Sequence, residues 1–285
     1  MLYFVCFLNL GNIYEEYKLS KIKSEKTKKV NGKIITFANM RFFIELSYDG
    51  SNYHGWQIQP NANTVQEELN KALSIILNTK IEVTGAGRTD SGVHAKQMFA
   101  HFDYDREFDF QTTIVKLNSF LPNDIAIHSF FNVKDGASSR FDALSRVYNY
   151  NIVQHKSPFK KTAYFVHKPL DVEQMNLACH FLLGKQDFTS FSKTNTQTFT
   201  NNCNVMLASC QWNDNELIFT IKADRFLRNM VRAIVGTLIE VGIGKIKAGQ
   251  VKKIIAQNDR SMAGTSAPAK ALFLSKIEYP KDIFL

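Results

Sequence analysis

Asp90 stands in the run Gly85-Ala86-Gly87-Arg88-Thr89-Asp90-Ser91-Gly92-Val93-His94-Ala95, a single carboxylate among small residues with an arginine two positions before it. Glycine on both sides permits turn conformations that a Cβ would forbid. Loops held by a rigid scaffold are where catalytic groups gather. Thr-Asp-Ser-Gly is also ordinary turn chemistry, so a purely structural turn is the plain alternative. Three other chemistries fail on spacing. Asp90-Ser91-Gly92 has the form of an aspartic-protease signature, but that reaction needs two carboxylates sharing a proton, and no second Asp-Thr/Ser-Gly exists in the chain. Gly85-x-Gly87 meets Asp90 where a dinucleotide fingerprint needs its third glycine, and there is no Gly-Lys-Ser/Thr phosphate loop.

Two further groups offer chemistry. Arg225, Arg228 and Arg232 are spaced by three and four, so on a helix from about Arg225 to Val241 they share a ridge opposite the apolar stripe of Phe226, Leu227, Met230, Val231, Ile234, Val235, Leu238 and Ile239. Such a ridge is a solvated basic face, a row of phosphate contacts, or the source of one arginine that turns inward to hold a carboxylate. Tyr148 and Tyr150 alternate on one strand face just after Arg140 and Arg146, a mixture that suits unstacked bases and RNA backbone as well as core packing.

The elements that position these residues follow from hydrophobic period. Phe42, Ile44, Leu46 and Tyr48 alternate as a half-buried strand ending at Asp49-Gly50. Thr64 and Glu67 form a capping-box signature ahead of a stripe of Val65, Leu69, Ala72 and Ile76. Strands are predicted over Ile81 to Thr84 and Ala95 to Phe102, with Asp90 in the loop between them, then a helix near Phe110 to Phe120 and a strand through Ile125 to Val133. The second half repeats the order. A strand spans Val147 to Val153, and a helix capped by Asp171 runs to Gly184. Strands over Val205 to Trp212 and Leu217 to Ala223 lead into the arginine-bearing helix, a short helix over Val251 to Gln257 and a strand near Ala271 to Tyr279. Element order therefore gives an α+β fold of two pseudo-symmetric βαββαβ halves, residues 40–143 and 144–285, whose antiparallel sheets form a central cleft.

The bulk properties bound the class. A 45% hydrophobic and 21% charged composition over 285 residues is that of a globular protein of one large or two modest domains. No apolar run is long enough to span a bilayer, and the apolar start at Met1 to Leu10 lacks a basic n-region. Cys6, Cys179, Cys203 and Cys210 have neither metal nor disulfide-framework spacing, and the seven histidines contain no His-x-x-x-His pair. These features predict a cytoplasmic protein with free thiols and no metal. The net charge of +9 favours a polyanionic partner. Part of that charge is local: the lysine run from Lys18 to Lys33 makes residues 1–39 a basic extension, read as a flexible arm or a misassigned start before Met40.

Six ordered blocks between residues 40 and 285 together resemble the TruA-type tRNA pseudouridine synthases, the anticodon-arm family. Gly87-Arg-Thr-Asp-Ser-Gly-Val-His-Ala95 is similar to that family's active-site motif, and Tyr48-Asp49-Gly50-x-x-Tyr53-x-Gly55-Trp56-Gln57-x-Gln59 to its first strand and loop. Arg146-x-Tyr148-x-Tyr150, Gly184-x-x-Asp187-Phe188-Thr189-Ser190-Phe191, Met230-Val231-Arg232-x-Ile234-Val235-Gly236 and Ala267-Pro268-x-x-x-Leu272 follow in the family's order. Val147, Gln186 and Ala271 depart from its usual residues. The resemblance implies the pseudouridine synthase fold, no cofactor, and isomerisation of uridine to pseudouridine at tRNA positions 38, 39 and 40 by a homodimer. It implies Asp90 as nucleophile, Arg232 as the partner of its carboxylate and Tyr148 stacking on the uracil. Arg88 would displace the base, and Arg146 and Arg228 would bind substrate. The alternatives are a tRNA-binding or chaperone protein of the same fold with little isomerase activity, and a protein–protein scaffold with an incidental basic face.

Overall fold

The computed structural model describes residues 40–193 and 199–285 in full, and residues 27–30 and 33–36 by their backbone. Within the expected flexible extension, Thr27–Val30 (β1) and Lys33–Thr36 (β2) pair as an antiparallel hairpin. The rest of residues 1–39, Cys6 included, lies outside the described residues.

The alternating residues of Met40–Tyr48 (β3) face a core: Phe42, Ile44, Leu46 and Tyr48 are all buried. Val65–Ile76 (α1), Thr84–Gly85 (β4), His94–Tyr104 (β5), Phe110–Phe120 (α2) and Ile125–Asn132 (β6) complete the first half. The second half comprises Ser145–Val153 (β7), Tyr164–Phe165 (β8), Val172–His180 (α3), Gly184–Asp187 (β9), Asn202–Asn213 (β10), Glu216–Ala223 (β11), Met230–Gly242 (α4), Gln250–Gln257 (α5) and Leu272–Glu278 (β12). The α+β class holds, but the halves share one sheet of ten strands. Its order is β6-β3-β5-β12-β7-β11-β10-β9, with β4 on β5 and β8 on β7. The last strand joins the halves: β12 runs antiparallel to β7 and parallel to β5, pairing Phe273 with His94 and Leu274 with Ala95.

Two apolar cores lie along this sheet. One gathers α1 and α2 with β3, β5 and β6, and takes Leu274, Ile277 and Ile283 from the chain's end. The other gathers α3, α4 and α5 with β7, β10 and β11. Tyr148 packs against both, and so marks the seam between them. Cys179, Cys203 and Cys210 are buried free thiols of the second core.

Several local expectations are corrected. The capping box does not form: Thr64 precedes α1, but its hydroxyl is buried without a partner and caps nothing. The expected stripe faces the first core, with Val65, Leu69 and Ala72 buried and Ile76 partly buried against it, and Leu73 joins them. Ile81 to Val83 is not strand, because side chains of α1 take its backbone groups. The Ile81 N–H donates to Ser74 Oγ, the Val83 N–H donates to Asn70 Oδ1, and Gln66 Nε2 donates to the Val83 carbonyl, at 2.8–2.9 Å. Only Thr84 and Gly85 remain to pair with β5. The helix capped by Asp171 stops at His180, and Gly184, with φ +90°, opens β9.

The arginine-bearing helix also starts later than its period suggests. Asp224 turns the chain by accepting the Asn204 and Arg225 N–H groups, and Asn229 takes a left-handed conformation at φ 67°. The helix therefore begins at Met230, and the basic ridge of three arginines does not exist. Arg225 and Arg228 lie on the preceding turn, while α4 is buried on nearly every side.

Candidate active site

The Asp90 loop, between β4 and β5, is fixed from beneath by the segment that follows β3. The Tyr48 hydroxyl bonds Thr89 Oγ1 at 2.9 Å inside the core, and the Trp56 N–H donates to the Thr89 carbonyl at 3.3 Å. The Tyr53 carbonyl accepts from the Gly92 N–H and from Ser91 Oγ, and the Val93 N–H closes the turn onto the Asp90 carbonyl at 3.1 Å. Two glycines make this approach possible. A Cβ on Gly55, where φ is +90°, would lie 2.3 Å from the Thr89 carbonyl oxygen, and one on Gly50 2.0 Å from that of Val93. Within the loop only Gly92 uses a positive φ, at +75°, and Gly87 has open space around it. His94 anchors the loop's far end: its Nδ1 accepts from the Gly50 N–H at 3.1 Å and its Nε2 meets the Lys270 carbonyl at 2.9 Å.

Arg232 reaches this loop from the other half. Its Nη1 lies 3.3 Å from Asp90 Oδ2, with both side chains about a quarter exposed (23% and 27%). The guanidinium is aimed by a second bond, from Nε to the Ala267 carbonyl at 2.8 Å, while the Ala267 N–H donates back to the Arg232 carbonyl at 2.9 Å. That reciprocal pair depends on close backbone contact between α4 and residues 264–267. A Cβ on Gly236 would sit 1.8 Å from the Thr265 carbonyl oxygen.

Tyr148 completes the group from β7. Its ring meets Phe226 edge-on at 5.1 Å. Burial pushes its hydroxyl up to about 12, with Arg146 opposing and the charge of Asp90 adding to the rise. The Asp90 contribution puts Tyr148 within reach of that carboxylate's charge. Tyr150, two residues on, is a core residue whose hydroxyl donates to the Pro268 carbonyl at 2.8 Å.

The remaining predicted residues divide. Arg88 is exposed at the loop's rim and makes no bond to a described residue. Arg228 is exposed on the turn before α4, removed from the helix face that carries Arg232. Arg146 presents no free guanidinium to a substrate. Its Nη1 donates to the Ala143 and Asp224 carbonyls at 2.9 and 2.8 Å, and its Nη2 to the carbonyls of Ala86 and Arg140. It thus clamps the start of the Asp90 loop to the turn ahead of α4. Of the departures, Gln186 donates to the Phe181 and Leu183 carbonyls at the end of α3, Ala271 is fully buried, and Val147 pairs with Lys222 in the sheet. Sequence reasoning missed the part played by Ala267 and Gly236, whose signal lay in two of the six blocks.

The arrangement offers a carboxylate, a fixed guanidinium and an aromatic ring at an open seam, with the exposed Arg88 at its rim. A cavity of about 450 Å³ lined by Asp49, His94, Lys96, Asp124 and Phe273 includes none of Asp90, Tyr148 and Arg232. An open seam suits a reactant presented by a macromolecule better than a small free molecule, which needs enclosure. No helix among the described residues is long and apolar enough to cross a membrane.

Known proteins resemble this chain over most of its length. A family profile described as "tRNA pseudouridine synthase" matches residues 46–142 and 178–280. The chain is 53% identical over 248 residues to a protein of Bacteroides thetaiotaomicron named tRNA pseudouridine synthase A, covering 86% of this chain and 92% of that one. It is likewise 53% identical over 247 residues to the protein of that name from Bacteroides fragilis (86% and 98% covered), and 39% over 242 residues to that of Buchnera aphidicola (84% and 91% covered).

Proposed function

This chain belongs to the tRNA pseudouridine synthase family, and from that premise we propose that it isomerises uridine to pseudouridine at positions 38, 39 and 40 in the anticodon arm of tRNA. The observation that carries the reading is the Asp90–Arg232 pair, drawn from opposite halves of the fold and set beside Tyr148. In the proposed reaction the bond between ribose C1′ and uracil N1 breaks, the ring turns, C5 bonds to C1′ and gives up its proton to solvent, and N1 takes up a proton in return. A carboxylate can attack or stabilise the electron-poor sugar carbon, as in glycosidases. Arg232 steadies the charge and direction of Asp90, because its own fork is held by the Ala267 carbonyl. Tyr148 stacks on the uracil. The target base must leave its stack to reach Asp90, and Arg88, exposed at the rim, takes part in displacing it. Arg228 supplies a phosphate contact. Neither a metal nor a cofactor enters these steps.

On the same reading the enzyme works in the cytoplasm as a homodimer whose basic cleft holds the tRNA; the excess of cationic side chains supports the nucleic-acid partner. The test is to incubate the purified chain with unmodified tRNA transcripts carrying uridine at 38, 39 or 40 and to map pseudouridine. Modification at these positions is expected. A chain that binds the transcripts but modifies none of them would be a tRNA-binding protein of the same fold, and the proposal would fail.

A further inference from the structure

The loop joining β6 to β7 holds an aromatic side chain in water while tying its own backbone down. Phe141 is 80% exposed. The Ser138 N–H donates to Asp142 Oδ2 at 2.7 Å, the Asp142 N–H to the Ser138 carbonyl at 3.1 Å, and the Phe141 N–H to Ser138 Oγ at 3.3 Å. Ser139, fully buried, donates through Oγ to the Thr84 carbonyl at 2.8 Å and through its N–H to His101 Nδ1 at 3.1 Å. The ring therefore stays out although the loop is too well anchored for fraying to account for it. The Arg140 guanidinium lies over the ring, 5.3 Å from its centroid.

The position of this loop gives the exposure a meaning. Arg146 Nη2 bonds the carbonyls of both Arg140 and Ala86, so one guanidinium joins the Phe141 loop to the loop that carries Asp90. Phe159 is more open to water still, but none of its bonds leads to the active site. We infer that Arg140 and Phe141 form a stacking ledge for an RNA base next to the uridine that turns into the site. Phe141 receives the base on the ring face away from Arg140, whose guanidinium lies over the other face and meets the adjoining phosphate. This rests on the function proposed above and adds a positioning residue to it. An aromatic platform with an arginine alongside is sequence-tolerant, because every base presents a π-face. Such a ledge would suit an enzyme that modifies neighbouring positions in different tRNAs.

The test compares wild type with Phe141→Leu, Phe141→Ala and Phe141→Trp on an anticodon stem–loop RNA. The RNA carries C5-tritiated uridine at the target and, in a parallel substrate, 2-aminopurine beside it. With a stacking ledge, Leu and Ala raise KM by roughly 5- to 150-fold, the range expected for one lost stacked base. They leave kcat at saturating RNA and the melting temperature unchanged, and Trp restores KM. Binding quenches the 2-aminopurine fluorescence in wild type and in the Trp variant but not in the Leu variant. Wild-type KM and quenching in Phe141→Leu, with turnover intact, would overturn the ledge alone. Absence of tritium release from wild type itself would overturn the proposed function and the ledge with it.

Discussion

A carboxylate that must meet one carbon of a ribose needs direction as much as charge, and in this chain both come from a single arginine. Arg232 touches Asp90 with Nη1 while Nε is held by the Ala267 carbonyl. Lysine would keep the positive charge but lose the planar fork. Arg232→Lys is therefore expected to lower turnover far more than it weakens tRNA binding, with the salt dependence of binding unchanged. Arg228→Ala, on the exposed turn, should instead reduce the salt slope by about one unit. Measuring both quantities in both variants separates the roles, and normal turnover in Arg232→Lys would show the pair to be dispensable. For Tyr148 the ring matters more than the hydroxyl on this account. Tyr148→Phe should retain most activity, whereas Tyr148→Leu should lose the stacking worth of roughly 1–3 kcal/mol. Wild-type kinetics in the Leu variant would remove Tyr148 from the site. A catalytic role for Asp90 came only from the resemblance to the family's motif, whereas the loop around it was legible in the sequence because its glycines and small polar residues mark a turn. Arg146 was not, because the four carbonyls that occupy it lie as many as 78 residues away along the chain, and its local pattern is that of any strand arginine.

At the level of elements, the site depends on close backbone approaches that only glycine allows. Gly236 on α4 faces the Thr265 carbonyl, and the same contact sets Ala267 to bond Arg232. Gly236→Ala should push residues 264–267 away and lower stability by the roughly 1–3 kcal/mol typical of overpacking. It should also reduce turnover, since Arg232 loses its second anchor. Denaturant unfolding together with initial rates checks this, and a fully active variant would mean that the Ala267 contact does not aim Arg232. Period and caps placed most elements of this fold. They failed where non-local groups decide the matter. Ile81 to Val83 reads as strand, yet Ser74, Asn70 and Gln66 of α1 take its backbone groups. The apolar stripe of α4 extends back to Phe226, yet Asp224 and Asn229 hold the chain off the helix until Met230. The pairing of β12 with β5 carries no local signal at all, because its partners His94 and Phe273 are remote in the chain.

The molecule as a whole brings two cores together at one sheet, with Tyr148 at the join and other tyrosines buried in or against the cores. Burial raises the hydroxyls of Tyr48, Tyr53, Tyr148, Tyr150 and Tyr279 above the usual tyrosine value of 10.0, Tyr148 to about 12. The unfolded chain ionises first at these groups, so the stability they contribute is complete below about pH 10 and falls as pH rises beyond it. Unfolding midpoints measured across that range should drop steeply, with phenolate absorbance of these residues appearing only on unfolding. A flat midpoint through pH 11 would contradict the assignment of these five as buried neutral phenols. The central claim, that Asp90 performs the chemistry at the seam, is tested most directly by Asp90→Asn. Tritium release from tRNA labelled at uracil C5 is followed in parallel with tRNA affinity and thermal stability. Asp90 is partly exposed, so losing one charge there should leave the fold and the binding close to wild type. The account predicts that release is abolished while binding and melting persist, and release near the wild-type rate would contradict it.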